Sequence, residues 1–239
     1  MTLKYLGSKT RIAKAIVPII QQYIDNSGFD TYVEPFVGGA NVIDKIRCKY
    51  KIGFDINPYL IALLNYASTG GVLPRMTYEE YQAIRVNPDA YLKWQVGCAG
   101  FLASFNGRFF AGYTGVGIDH GRTRDYVDTA CRNLEKQVPN LYDVDFACMD
   151  YRRLGFCDCV IYCDPPYQGT KGYNKTPAFD HDEFWNTMRK WSSTNIVLIS
   201  EQDAPQDFDC IWEQETKRTI NAAGERKAAV ERLFTYHSS

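Results

Sequence analysis

The run Cys163-Asp164-Pro165-Pro166-Tyr167 closes an apolar stretch, Cys159-Val160-Ile161-Tyr162. β-Branched and aromatic residues ended by a carboxylate and a proline pair predict a buried strand that stops abruptly. Each proline fixes φ and removes a backbone N–H, so the carbonyls beyond the strand are not consumed by a regular helix. Such a strand end presents an Asp acceptor, a stiff row of carbonyls and an aromatic ring. That set suits a planar amine, whose N–H groups need paired acceptors while its ring stacks. In open α/β sheets ligands bind outside the carboxyl ends of the strands, so the position suits the chemistry.

Other segments carry candidate binding groups. Tyr32-Val33-Glu34-Pro35-Phe36-Val37-Gly38-Gly39-Ala40 predicts a strand, a glycine turn that lets backbone approach a ligand, and a helix from about Asn41. The pattern is not the dinucleotide G-x-G-x-x-G fingerprint. Tyr50-Lys51-Ile52-Gly53-Phe54 predicts a strand ending at Asp55, ahead of Asn57-Pro58 and an apolar helix. An acid there can accept from both hydroxyls of a ribose, and its plainer role is a helix cap. Tyr5-Leu6-Gly7-Ser8-Lys9 precedes a helical stripe at Ile12, Ile16, Ile19, Ile20 and Tyr23. Ser8 or Thr10 can cap that helix, and Pro18 is expected to kink or shorten it.

The elements that position these groups follow in order. Thr69-Gly70-Gly71-Val72-Leu73-Pro74 reads as a linker. Thr77 and Glu80 form a capping-box pattern, and a further helix is expected near Asn87-Pro88. Asn106-Gly107, inside Ser104-Phe105-Asn106-Gly107-Arg108-Phe109-Phe110, signals a hairpin or tight turn. Aromatics beside arginine suit stacking on nucleic-acid bases, although a single Phe more often fills its own core. After Thr123 a helical pattern returns through Val127, Ala130, Leu134 and Val138, and a strand then ends at Asp150, whose plainer role is to cap the next turn. Beyond Tyr167, a polar loop with glycines, Lys171 and Lys175 can close over a bound ligand. Asp180 and Glu183 open a helix to about Trp191, Asn195 to Glu201 is a buried strand, and Val230 to Tyr236 has an edge-strand pattern. The alternation implies a doubly wound, mostly parallel α/β sheet with a small helical and hairpin insertion.

The 239 residues can bury one such core with room for an extra module. With 45% hydrophobic and 23% charged residues the composition is ordinary for a globular protein. No apolar run has the length of a membrane span and no secretory hydrophobic region opens the chain, so a cytoplasmic protein without a membrane partner is expected. A net charge of −1 means that a nucleic-acid partner must be met by local clusters. Lys4, Lys9, Arg11 and Lys14, then Arg122 and Arg124, and Lys217 with Arg218 supply them, whereas Lys45, Arg47, Lys49 and Lys51 read as a solvated face. The 8 cysteines suit a reducing compartment, and Cys157, Cys159 and Cys163 alternate along a strand instead of forming a metal-binding pair.

Asp164-Pro165-Pro166-Tyr167, with the segments at 5–9, 33–40 and 54–57, resembles the Dam-type (D12 class) DNA adenine methyltransferases, which use S-adenosylmethionine (AdoMet). Ala40 departs from the family's loop, where a glycine is usual. The resemblance implies an AdoMet-methyltransferase sheet in two parts, residues 1–73 and 123–239, around a target-recognition domain at 74–122. It implies AdoMet binding by Tyr5, Gly7, Lys9, Phe36, Gly38, Gly39, Asp55, Asp150 and Asp164, and catalysis without a metal by Asp164, Pro165, Pro166 and Tyr167. Phe105, Asn106 and Arg108 are then expected on double-stranded DNA, with Arg122 and Arg124 on phosphate and Lys171 beside them. The implied reaction methylates the N6 amine of a flipped adenine, with a GATC-like site as the family default, in a bacterial or phage-encoded monomer or weak dimer.

The residues also admit methylation of another planar amine (DNA cytosine, an RNA base or a protein glutamine). A DNA-binding relative without catalysis is the reading from another class. Labelled methyl appearing in duplex DNA separates the enzymes, and AdoMet titration separates an enzyme from the inactive binder.

Overall fold

The computed structural model describes residues 2–5, 7–119, 121–167, 179–217 and 228–237. In chain order its strands are β1 (Thr31–Glu34), β2 (Tyr50–Asp55), β3 (Val116–Asp119), β4 (Arg122–Asp125), β5 (Val144–Cys148), β6 (Cys159–Cys163), β7 (Ile196–Glu201), β8 (Phe208–Lys217) and β9 (Ala228–Tyr236). The main helices are α1 (Ala13–Ser27), α2 (Pro58–Ser68), α3 (Tyr78–Val86), α4 (Lys93–Gly97), α5 (Tyr126–Gln137) and α6 (His181–Ser192).

A 7-stranded sheet runs β5-β2-β1-β6-β7-β9-β8, and β3 and β4 form a separate hairpin. The pairs among β5, β2, β1, β6 and β7 are parallel, while β9 is antiparallel to both its neighbours. Every residue of β6 is buried, as expected for a strand covered on both faces. Strand order reverses between β1 and β6, which is where such sheets open a crevice for ligands. The expected doubly wound, mostly parallel architecture is the observed one.

Several local expectations need correcting. Pro18 lies inside α1 without ending it, because Ile16, Ile20 and Ile24 bury one continuous face against the core. The helix expected from Asn41 is a single 3-10 turn, Ile43–Lys45, because β2 begins only a few residues later. The helix expected near Asn87-Pro88 is likewise one 3-10 turn, Pro88–Ala90. Asn106-Gly107 makes the tight turn that was one of its two expected forms, flanked by an antiparallel bridge between Ser104 and Tyr113, and the paired hairpin lies further on, at β3 and β4. The segment from Val230 to Tyr236 is not an edge: β9 sits between β7 and β8, and Leu233 and Phe234 are buried. The edge on this side of the sheet is β8, whose exposed Glu213 and Glu215 give it a polar, loop-like sequence.

Other local rules hold. Asn57 caps α2 by accepting from the Tyr59 and Leu60 N–H groups, and Thr77 and Glu80 form the reciprocal capping box of α3. Asp180 caps α6 by accepting from the Glu183 N–H. The basic cluster is solvated at Lys45, Arg47 and Lys49 but not at Lys51, which is buried on β2; Lys45 pairs with Asp44, Lys49 with Asp30 and Lys51 with Asp143.

Residues 74–122 share one continuous core with α2, contributing Tyr81, Ile84, Val96 and Phe101. Residue 122 begins β4, so a boundary drawn there separates two paired strands. The α2–α4 contact depends on Gly97, where a Cβ would lie 2.3 Å from the Tyr59 carbonyl oxygen. Gly97→Ala is therefore expected to destabilise the protein by about 2 kcal/mol in chemical denaturation, because backbone must move to admit the methyl. An unchanged midpoint would mean that the helices part freely there.

Candidate active site

The carboxyl ends of β1, β2, β5, β6 and β7 face one rim. Leaving β1, the chain turns through Val37 to Val42, where Gly38 has φ +49° and Ala40 φ +54°. The departure from glycine at Ala40 thus falls on left-handed backbone: the methyl fits in the core, at a conformational cost of about 1–2 kcal/mol. Tyr5 lies over this loop, since a Cβ on Gly38 would be 3.1 Å from its ring. The same ring is tilted against Phe101, at 5.7 Å between centroids. Phe36 packs at the loop's root with Tyr151, Phe179 and Phe184.

Asp55, at the end of β2, accepts from the Gly38 N–H at 3.2 Å and the Asn57 N–H at 2.9 Å. Desolvation pushes its carboxyl up to about 6, with those N–H groups pulling the other way. Its oxygens retain lone pairs for further donors. The helix cap is Asn57, so Asp55 does not have that role. Gly38, Gly39, Asp55 and Tyr5 therefore form one cluster.

A second cluster stands at the end of β6. Lys9 Nζ lies 2.7 Å from Asp164 Oδ1 and 4.2 Å from the centre of the Tyr167 ring. Lys9 is 8% exposed and Asp164 21%, so the pair is sheltered at the rim but not sealed inside. Burial raises the Asp164 carboxyl above its ordinary range, and the Lys9 charge opposes this. The Tyr167 hydroxyl donates to Glu231 Oε2 at 2.7 Å. Segment 5–9 joins the clusters, with Ser8 capping its 3-10 turn at Lys9–Arg11 and Gly7 in left-handed backbone.

Other candidates lie elsewhere. Asp150 caps the turn Tyr151–Arg153 and pairs with the Arg152 guanidinium at 2.5 Å, which is the plainer of its two expected roles. Phe105 is 56% exposed, next to exposed Asn106 and Arg108, whereas Phe109 and Phe110 pack into the inserted module. Asn106 has φ 54°, and Gly107 backs onto the Lys4 carbonyl, where a Cβ would come within 2.1 Å. On the hairpin, Arg124 pairs with Asp119 at 3.0 Å and lies over Tyr126, while Arg122 is exposed. Lys171 lies outside the described residues.

Glu231 was not among the residues read from the sequence, which held no signal for it. Its strand lies far along the chain, and only antiparallel insertion brings its first residues to the carboxyl rim, with Arg232 opposite Glu201.

Residues 5–106 match the family model of the D12 class N6 adenine-specific DNA methyltransferases. The chain resembles that class, as its motif residues implied. The matched stretch contains Tyr5, Lys9, the glycine loop, Asp55 and the Phe105-Asn106 turn, and ends before Asp164. The type II methyltransferase M.FokI of Planomicrobium okeanokoites is 27% identical over 82% of this chain, and the modification methylase StsI of Streptococcus sanguinis 25% over 82%. This chain spans only 33% and 32% of their respective lengths. Among solved structures, the rRNA methyltransferase aviRa of Streptomyces viridochromogenes aligns with a TM-score of 0.44 at 12% identity, over 95% of this chain and 84% of that one.

Among the described residues, no helix is long and apolar enough to cross a membrane. No group of three or more metal-ligating side chains occurs among them.

Proposed function

We propose that this chain is an AdoMet-dependent methyltransferase acting on the N6 amine of adenine in double-stranded DNA. The observation that carries this reading is the Asp164-Pro165-Pro166-Tyr167 ledge, on the rim that also holds the glycine loop and Asp55. The family match over Tyr5–Asn106 supports the same reading independently of the ledge.

The residues suit the cofactor. A half-buried carboxylate with lone pairs to spare beside a glycine turn can take ribose hydroxyls, and the Tyr5 ring offers an apolar wall. Phe36, Gly7, Gly39 and Lys9 complete the proposed AdoMet surroundings, with Asp150 at their margin. When bound, AdoMet supplies an electrophilic methyl group on a sulfonium.

This chain's own residues do the rest. An extruded adenine, whose unstacking costs a few kcal/mol, would lie against the Tyr167 ring. Asp164 and the Pro165 carbonyl accept its amine N–H groups, which orients the nitrogen lone pair away from the ring plane. Pro166 stiffens the ledge. Asp164 is also a carboxylate that can accept the proton the amine must shed, and its raised carboxyl favours taking it. Positioning of this kind accounts for about 7–11 kcal/mol in well-oriented systems.

Phe105, Asn106 and Arg108 form the proposed DNA-facing turn, with Arg122, Arg124 and Lys171 on the backbone phosphates. Phe105→Ala should weaken duplex binding about tenfold, as loss of one stacking ring does, with an unchanged melting temperature because the ring is exposed. Equal affinity in a fluorescence-anisotropy titration would remove Phe105 from the interface. The function itself is tested by incubating the protein with labelled AdoMet and duplex DNA, then digesting the DNA to nucleosides. N6-methyl-2′-deoxyadenosine is the expected product, and label in cytosine, RNA or protein instead would overturn the assignment.

A further inference from the structure

On the reading above, the amine of the target base donates to Asp164. In the protein as folded, Lys9 already holds that oxygen, with its ammonium 2.7 Å from Oδ1 and over the Tyr167 ring. The lysine therefore occupies the same acceptor and the same aromatic face that the reaction needs. A buried ammonium cannot leave one carboxylate cheaply unless another is within reach. One is: Glu231 Oε2 lies 3.9 Å from Lys9 Nζ and also accepts the Tyr167 hydroxyl at 2.7 Å.

We propose that Glu231, on β9, is a positioning residue of the amine site, holding the Tyr167 ring by its hydroxyl and giving Lys9 a second carboxylate when the target amine takes Asp164. This rests on the methyl-transfer reading and adds to it a residue from beyond the family-matched stretch. Three features of the geometry support it. The antiparallel register sets the start of β9 on the carboxyl rim of the parallel strands. Glu231 is 19% exposed, so its charge is only partly screened. One oxygen of one carboxylate faces both the phenol and the ammonium.

Charge and shape can be told apart with two substitutions. Glu231→Gln keeps the length and an oxygen acceptor but removes the charge, whereas Glu231→Asp keeps the charge on a shorter stem. The expected result is that Gln lowers kcat/KM for duplex DNA about tenfold and Asp recovers it to within about threefold of wild type, with the AdoMet Kd unchanged in both. Gln as active as wild type, or Asp worse than Gln, would overturn the proposal, the latter because it marks a packing role. A crystal structure of Glu231→Ala gives a readout independent of turnover. The Tyr167 ring should leave its place beside Lys9, and an unmoved ring overturns the positioning role whatever the substrate. Absence of N6-methyl-2′-deoxyadenosine with the wild-type protein would instead count against the methyl-transfer reading alone.

Discussion

Asp164→Ala should lower methyl transfer to duplex DNA about a thousandfold, a loss of the size seen when a preorganised polar group is removed from a reaction centre. The carboxylate is the only charged acceptor on the ledge itself, and the carbonyl of Pro165 cannot replace its charge. The fold should survive. Lys9 loses its 2.7 Å partner but keeps Glu231 at 3.9 Å, so the ammonium is not stranded. A stability loss of about 1–2 kcal/mol is expected, as for one weakened charge-assisted hydrogen bond. Circular dichroism and a denaturation curve check the fold, and incorporation of labelled methyl checks the rate. A folded Asp164→Ala protein with full activity would end the proposed role.

Asp55→Ala should raise the AdoMet Kd about a hundredfold, equivalent to about 3 kcal/mol for a carboxylate meeting paired hydroxyls. The pH dependence supplies an internal control. With Asp55 pushed up to about 6, protonation replaces an acceptor by a donor as pH falls through that value. Calorimetry should then show AdoMet affinity falling about tenfold per pH unit below 6, and Asp55→Asn should flatten the profile. Stability of the free protein has the opposite sign. The folded-state carboxyl titrates above its ordinary value of 3.8, so between about 6 and 3.8 the folded protein holds a proton that the unfolded chain has released. The contribution of Asp55 to folding therefore improves as pH drops through that window. A pH-independent AdoMet Kd in the wild-type protein would show that the ionised carboxylate is not what the ligand meets.

The features of this chain that its sequence makes legible share a cause. Asp164 and Asp55 are legible because they stand at strand ends, and Gly38 because it lies in the turn that follows β1; such places are marked by short-range chemistry: a proline pair, an Asn-Pro cap, a glycine pair. Capping residues such as Thr77 and Asp180 were legible for the same reason, since the cap and its N–H partner lie within a few residues of each other. Phe105 is a partial case. Its run of aromatics was evident, but which ring would face solvent and which would fill the core depended on Gly100 and Tyr59, against which Phe109 packs.

From its amino-acid sequence alone, this chain determines where its strands stop and which acids, glycines and aromatics stand at their ends. Those choices are made by backbone sterics and local hydrogen bonds. Only the tertiary structure decides that Lys9 rests on Asp164 and that Glu231 holds Tyr167, because these groups meet across segments far apart in sequence. It also decides that β9 is an interior strand: partners from distant elements supply its pairing and burial, and no alternation along Val230–Tyr236 can encode how many neighbours a strand will have.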